Sequence, residues 1–115
     1  MSTRRAAIVE RDGPTCVWCG RAPWPRDVTL EHLLPRSRGG RATPANLTPA
    51  CRSCNRARRS RPVAAYVREL MAAGRAPRLR ELEAAVERLS ASTHPKESAY
   101  GRRQLELLRR LAPSG

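Results

Sequence analysis

Four cysteines, arranged as two Cys-x-x-Cys pairs, constrain this chain more than any other feature. Cys16 and Cys19 are separated by 31 residues from Cys51 and Cys54, and the 115 residues include no other cysteine. Four thiolates with this spacing complete the tetrahedral shell of a zinc ion and leave no open position, so we predict one structural zinc. Because zinc binding contributes about 10 kcal/mol or more to folding, it compensates for the small core expected of a short chain without phenylalanine.

The alternative roles of the cysteines depend on the cellular compartment. The N-terminus is polar and basic and no long apolar run follows it, so the sequence indicates neither a signal peptide nor a membrane span. We therefore predict a cytoplasmic location, where thiols stay reduced and disulfide bonds are rare. A redox role is a further alternative, but the sequence lacks the βαβ pattern of thioredoxin-like proteins.

The excess of positive charge indicates nucleic acid as a partner. The chain contains 22 arginines and one lysine against ten acidic residues, which gives a net charge of +13. Residues 1–61 hold thirteen of the arginines and only four of the acids, so the positive field is concentrated around the cysteines. Phosphate groups are the natural counterpart of such a field. A biased genome composition explains the preference for arginine over lysine, but not the excess over acids.

The first half of the chain is predicted to contain two short strands and one helix between irregular segments. Residues 27–30 are typical of a short strand. A second strand is weakly indicated near 41–43 or 46–48, within a stretch rich in proline and glycine. A helix is predicted from Arg52 to about Ser60, before Pro62.

The second half is predicted to be helical from its hydrophobic periodicity. One apolar stripe covers 63–71 and ends at Gly74, and a second covers 79–89. Residues 90–98 are polar and are predicted to form a linker, and leucines at 105–111 indicate a third helix. We expect these helices to cover one side of the cysteine-bearing half. A dimer interface or a groove-binding helix pair are the alternatives.

A carboxylate, an imidazole and an amide lie within or beside the segment that the cysteine pairs enclose. His32 is the only histidine between the pairs, and a free histidine, with a pKa of about 6.5, suits a general base. Glu31 and Asn55 offer hard oxygen atoms, which suit magnesium or manganese. Phosphodiester hydrolysis requires such a set, because a base must generate the nucleophile and a cation must stabilise the charge on the phosphate.

The adjacency of Glu31 and His32 sets a geometric condition on this hypothesis. Neighbouring side chains in a regular strand point to opposite faces. Both residues can face one phosphate only if the strand ends or twists there. Pro35, three residues later, is consistent with such an end.

A set of short motifs in fixed order carries a family resemblance. These motifs are Cys16-x2-Cys19, Glu31-His32-Leu-Leu-Pro35-Arg36-Ser-Arg38-Gly39-Gly40, Asn46-Leu47 and Cys51-x2-Cys54-Asn55. Roughly residues 10–61 resemble the HNH endonuclease family, and more narrowly its zinc-stapled bacterial and phage members of the restriction-nuclease type. The resemblance implies an α+β fold with a ββα-metal core, DNA as substrate, and one catalytic magnesium or manganese ion.

The resemblance also implies a role for each matching residue. His32 would be the general base that activates water, and Glu31 and Asn55 would be the protein ligands of the catalytic metal. Asn46 would hold the loop together by hydrogen bonds. Glu31 stands where the family usually has aspartate, and Asn55 takes a position where histidine is also common, so either residue could weaken metal binding.

Arginines cluster in sequence around these motifs, and phosphate contacts of this kind fix position without reading bases. We expect Trp18 and Trp24 to pack against the cysteine loop, with base stacking as the alternative. His94 is expected to be exposed and uninvolved. The arginines predicted to bind nucleic acid are Arg36, Arg38, Arg41, Arg52, Arg56 and Arg59.

Together these features predict a zinc-stapled nuclease core over 1–61 and a helical extension over 62–115 that packs on it. The predicted function is a metal-dependent DNA endonuclease that uses one catalytic metal and a histidine base. The alternative is a catalytically weak or inactive zinc-ribbon protein that binds DNA or acts as an adaptor, including in phage packaging. No membrane and no small-molecule cofactor is expected, and the sequence does not distinguish a monomer from a homodimer.

Overall fold

The structure is a computed structural model that describes residues 3–111, so the outermost ends of both predicted segments lie outside the described residues. The elements begin with helix α1, strands β1 and β2, and a short helix α2 that directly follows β2. Three further helices complete the described chain. The bounds are α1 Thr3–Asp12, β1 Val28–His32, β2 Leu47–Cys51, α2 Arg52–Arg58, α3 Val63–Ala72, α4 Leu79–Ser90 and α5 Pro95–Leu111.

The two strands form an antiparallel sheet that continues directly into α2. Val28 is opposite Cys51, and His32 is opposite Leu47, so the register joins the start of β1 to the cysteine at the end of β2. Because α2 begins at the next residue, Arg52, the sheet and the helix form one ββα unit. The predicted small α+β class is confirmed.

A two-stranded sheet is marginally stable on its own; α1 and α2 contact its strands, and α3, α4 and α5 supply most of the buried apolar residues of the core. The core is continuous from the cysteine loop to α5. This core contains residues from both sides of residue 61, and the division of the chain into two domains at that residue stays a prediction. The fully buried core members include Cys16, Leu33, Val63, Val67, Leu82, Val86, Leu89 and Leu108.

The predicted polar linker over 90–98 is wrong in its second half, because α5 already begins at Pro95. The first turn is polar yet packed: Glu97 is fully buried, and its Oε1 accepts hydrogen bonds from the hydroxyls of Thr43 and Ser92 at 3.0 and 2.8 Å. Proline and an acidic residue both favour the first turn of a helix. Hydrophobic periodicity alone missed this turn.

Within residues 3–111 the structure contains no helix with the length and apolar character that a membrane span requires.

Candidate active site

The four cysteines form a compact cluster. Their Sγ atoms all lie within 4.8 Å of one another, and those of Cys19 and Cys51 are 4.0 Å apart. Thiolates that share a tetrahedral zinc ion at about 2.3 Å lie about 3.8 Å apart, so the cluster needs only a small contraction. Gly20 closes the first pair: its φ is 78°, and its N–H donates to the carbonyl of Cys16 at 2.9 Å.

The ionisation of the cluster also favours a bound cation. Burial acts to raise the pKa of Cys51, but hydrogen bonds from Ser53 and from the N–H of Cys54 outweigh it and lower the pKa to about 6. Burial and the neighbouring sulfurs raise the pKa of Cys54. One thiolate therefore forms near neutral pH, and further negative charge beside it is unfavourable without a cation. The four cysteines are thus positioned to bind a zinc-like ion.

A shallow pocket of about 310 Å³ lies at the end of β1. Three of the four predicted catalytic residues, Glu31, His32 and Asn55, are brought together in its lining. The strand ends at His32, which meets the geometric condition that the sequence sets. The full lining is Glu31, His32, Pro35, Arg36, Ser37, Asn55, Arg59 and Ser60.

His32 is half-buried, and arginines surround it. Arg36 donates from Nε to the Nε2 atom of His32 at 3.3 Å. Burial and then the charges of Arg36, Arg4 and Arg58 lower the pKa of His32 below its ordinary value. The imidazole is therefore neutral at neutral pH, which is the protonation state of a base.

Asn55 is held by a hydrogen bond to the sheet. Its Nδ2 donates to the hydroxyl of Thr29 at 2.9 Å, and that hydroxyl donates to the carbonyl of Ala50 at 2.8 Å. The bond fixes which end of the amide meets the strand. No residue between 3 and 111 donates to Oδ1 of Asn55, so this oxygen is the part of the side chain available to a ligand.

Glu31 is oriented toward the protein interior and is only 4% exposed. Its Oε2 accepts a hydrogen bond from Nε1 of Trp18 at 2.8 Å, and its Oε1 forms a buried ion pair with Nη1 of Arg58 at 3.2 Å. Burial raises the pKa of the Glu31 carboxyl, and the charge of Arg58 partly opposes this. The carboxylate at the edge of the pocket is thus already partnered by a cation of the protein.

Arg58 is a component of the site that sequence reasoning missed. It is fully buried, and all five of its N–H donors are used, which is the complete capacity of a guanidinium. The available signal was its position three residues after Asn55, which places both on one face of α2. The acceptors are Arg61 O for Nε, Glu31 Oε1 and His32 O for Nη1, and Leu33 O and the Tyr100 hydroxyl for Nη2.

Asn46 lies outside the pocket and is fully buried. Its Oδ1 accepts from the N–H of Leu34 at 2.8 Å, and its Nδ2 donates to the carbonyls of Leu34 and Arg41 at 3.1 and 2.9 Å. The side chain thus links the start of β2 to both ends of the loop that follows His32. This geometry is what the predicted loop-holding role requires.

Gly40 leaves the space that this loop needs. A Cβ at Gly40 would overlap the carbonyl oxygen of Leu34 and lie 3.0 Å from Nδ2 of Asn46. We expect Gly40→Ala to lower the free energy of unfolding by about 3 kcal/mol or more. Gly13→Ala is the matched control, because Gly13 has a φ of 81° but open space around it, and should lose about 1–2 kcal/mol. Chemical denaturation measures both, and equal losses would contradict the steric explanation.

All six arginines predicted to contact nucleic acid are exposed, but they differ in their partners. Arg36 contacts His32, Arg38 donates to the carbonyl of Ser60 at 2.8 Å, and Arg41 lies 3.0 Å from Nδ1 of His94. The expectation that His94 is exposed is wrong, because the residue is half-buried and its ring contacts Arg41, whereas its lack of a role in the site stays a prediction. The remaining three, Arg52, Arg56 and Arg59, form no side-chain hydrogen bond or ion pair with another residue of the described range 3–111.

The two tryptophans have opposite environments. Trp18 is buried, packs edge-on against Tyr66 with ring centroids 5.0 Å apart, and bonds to Glu31, as the packing hypothesis expects. Trp24 is 73% exposed, so the packing hypothesis is wrong for this residue.

Comparison with known proteins bears on the family and on the fold. Residues 16–71 match the family model described as HNH endonuclease, so the resemblance that the motifs indicate is confirmed over this segment, and it supports a nuclease-type function. No curated protein matches the sequence significantly. The Type II-C Cas9 enzyme from Actinomyces naeslundii is similar in structure, with a TM-score of 0.59 and 21% sequence identity. The match covers 93% of this chain but only 12% of that chain, and at this identity it shows the fold alone.

Proposed function

We propose that this protein, whose residues 16–71 match the HNH endonuclease family model, is a metal-dependent endonuclease that hydrolyses phosphodiester bonds in DNA. The observation that carries the proposal is the convergence of His32, Glu31 and Asn55 on one pocket at the end of β1. The net charge of +13 favours a polyanionic substrate.

In this proposal His32 acts as the general base. Its lowered pKa keeps the imidazole neutral, so it accepts a proton from the attacking water. Arg36 donates to Nε2 of His32 from an exposed position. A substrate phosphate offers Arg36 a stronger, charge-assisted acceptor. When the guanidinium of Arg36 moves to that phosphate, Nε2 of His32 is left free to accept the proton.

The donor set of the pocket fits a divalent ion. Oδ1 of Asn55 has no donor among the described residues, and each oxygen of Glu31 accepts one hydrogen bond and retains a lone pair. These hard oxygens would hold magnesium or manganese. When bound, such an ion supplies positive charge that stabilises the phosphate and the leaving oxygen in the transition state. The sulfur cluster would hold a separate zinc ion that serves the fold.

One observation favours the second candidate, a catalytically weak or inactive DNA-binding or adaptor protein. Arg58 neutralises the charge of Glu31 and so reduces the attraction of the pocket for a divalent ion. This candidate retains salt-sensitive DNA binding but lacks cleavage that depends on magnesium or manganese.

A plasmid nicking assay with added magnesium or manganese tests the proposal. The rate for His32→Ala is expected to fall about 10²- to 10⁴-fold, as for removal of a general base. His94→Ala is the matched control, because it removes the only other histidine, which lies outside the pocket, and should cleave at the wild-type rate.

The variants must be compared in the folded state, so zinc content and circular dichroism are measured on each. Equal cleavage by wild type and folded His32→Ala would eliminate His32 as the base. A wild-type protein that binds DNA but cleaves none with either ion would support the second candidate instead.

A further inference from the structure

A row of three adjoining depressions extends from the candidate active site along α2. The active-site pocket shares Arg59 and Ser60 with a neighbouring depression, and this depression shares Ser53 and Arg56 with a groove of about 740 Å³. The shared residues place the three depressions side by side along the helix. We call this surface the α2 groove and define it by Trp24, Arg52, Ser53, Arg56, Arg59 and Ser60.

Trp24 lies at the end of the α2 groove away from His32 and presents its ring to solvent. It is 73% exposed, and no aromatic ring or arginine between residues 3 and 111 covers it. Pro23 and Pro25 flank it, and its backbone is extended with φ −54° and ψ 145°. Two neighbouring prolines restrict the local chain, so the indole is presented on a stiff segment and loses little entropy when a flat ligand stacks on it.

The charges beside Trp24 suit phosphate groups. Arg21, Arg52 and Arg56 line the same groove, and none of the three pairs with a carboxylate in the part of the chain that the structure describes. Asp27 is the one acidic residue in this lining, so positive charge dominates. An exposed aromatic ring beside unpaired arginines is the combination that binds single-stranded nucleic acid, because unpaired bases offer a free face for stacking. Bases inside a duplex do not.

We propose that the α2 groove binds a single-stranded stretch of the DNA substrate, with one unpaired base stacked on Trp24 and phosphates on Arg52 and Arg56. The identity of the ligand as DNA rests on the proposed function. The seven residues of α2 span about 10 Å, so the strand passes along this helix between Trp24 and the active-site pocket.

Binding measurements without added divalent ion test this proposal while the DNA stays intact. The probes are a labelled oligo-dT strand and a labelled blunt duplex of equal length. Fluorescence anisotropy measures the binding of each. Trp24→Ala is expected to bind oligo-dT about 5- to 150-fold more weakly than wild type, the range for loss of one base–aromatic stack. Its affinity for the duplex should change less than about twofold. Met71→Ala is the matched control, because Met71 is the other exposed large apolar residue described and lies outside the groove.

Tryptophan fluorescence supplies a direct readout of stacking. Oligo-dT should quench the emission of wild type but not of Trp24→Phe, whose remaining indole, Trp18, is buried, and the phenylalanine should retain most of the affinity. Equal oligo-dT affinities of wild type and Trp24→Ala, or equal quenching by strand and duplex, would overturn the proposal. If either of these results is found and the wild type still cleaves DNA, the single-strand binding by the α2 groove is rejected and the endonuclease function is not. Quenching by oligo-dT without any cleavage rejects the endonuclease function and leaves this inference standing.

Discussion

Replacing Cys51 with serine is expected to abolish metal binding and to remove most of the folding free energy. Cys51 is buried, ends β2 and directly precedes α2, so a metal on its sulfur joins the strand to the helix. A structural zinc site contributes about 10 kcal/mol or more, and a whole domain is stable by only about 5–15 kcal/mol. We therefore expect loss of the folded circular dichroism signal at room temperature and loss of bound zinc by elemental analysis.

Ser53→Ala is the control for this substitution. Ser53 lies 3.4 Å from Sγ of Cys51 through its hydroxyl but offers no sulfur, so the variant should retain zinc and lose about 1 kcal/mol. A strong chelator should melt the wild type in the same way as the Cys51 substitution does. If the chelator leaves the melting temperature of the wild-type protein unchanged, no metal stabilises the fold. Unfolding by a reductant instead would favour disulfide bonds.

The sequence predicted the parts of the site that depend on spacing along the chain. The cysteine pairs, a strand over 27–30 and the helix that carries Asn55 all follow from local signals such as turns, motif spacing and proline, although β1 continues two residues further, to His32. The predicted helices over 63–71 and 79–89 agree with Val63–Ala72 and Leu79–Ser90. Amphipathic periodicity succeeds for them because each buries one apolar face.

The sequence failed where contacts between distant residues decide the outcome. Trp18 and Trp24 flank the same loop, yet only Trp18 meets Tyr66 from α3, and no local pattern records that contact. The burial of Arg58 depends likewise on Tyr100 in α5, which accepts one of its hydrogen bonds at 3.2 Å. A charged residue in a run of arginines is typically solvated. The sequence therefore shows no sign that Arg58 is buried, and only the tertiary structure identifies its partners.

The ion pair of Glu31 and Arg58 connects stability to the proposed chemistry. The guanidinium also donates to the backbone carbonyls of His32 and Leu33, at 2.8 and 2.6 Å. It therefore fixes the end of β1 from which the imidazole of His32 projects. The side chain of Arg58 thus has two effects: it offsets the charge of Glu31, the proposed metal ligand, and it positions His32, the proposed base.

Arg58→Met is expected to lower the free energy of unfolding by about 3–5 kcal/mol, measured by urea denaturation. The substitution leaves Glu31 as an uncompensated buried charge and removes the donors to two carbonyls. Arg56→Met is the matched control on the same helix, because Arg56 is exposed and its replacement should change stability by about 0.5 kcal/mol or less.

A double-variant cycle separates the ion pair from the carbonyl contacts. Arg58→Met combined with Glu31→Gln removes the stranded carboxylate, so the double variant should be about 1–3 kcal/mol more stable than the sum of the single losses predicts. Arg58→Lys keeps the charge but has three donors instead of a five-donor fork, and should recover only part of the loss. Simple additivity in the cycle would mean that the ion pair contributes nothing. The destabilisation by Arg58→Met would then arise from the unpaired carbonyls at the end of β1, and Arg58 would act on His32 through the backbone alone.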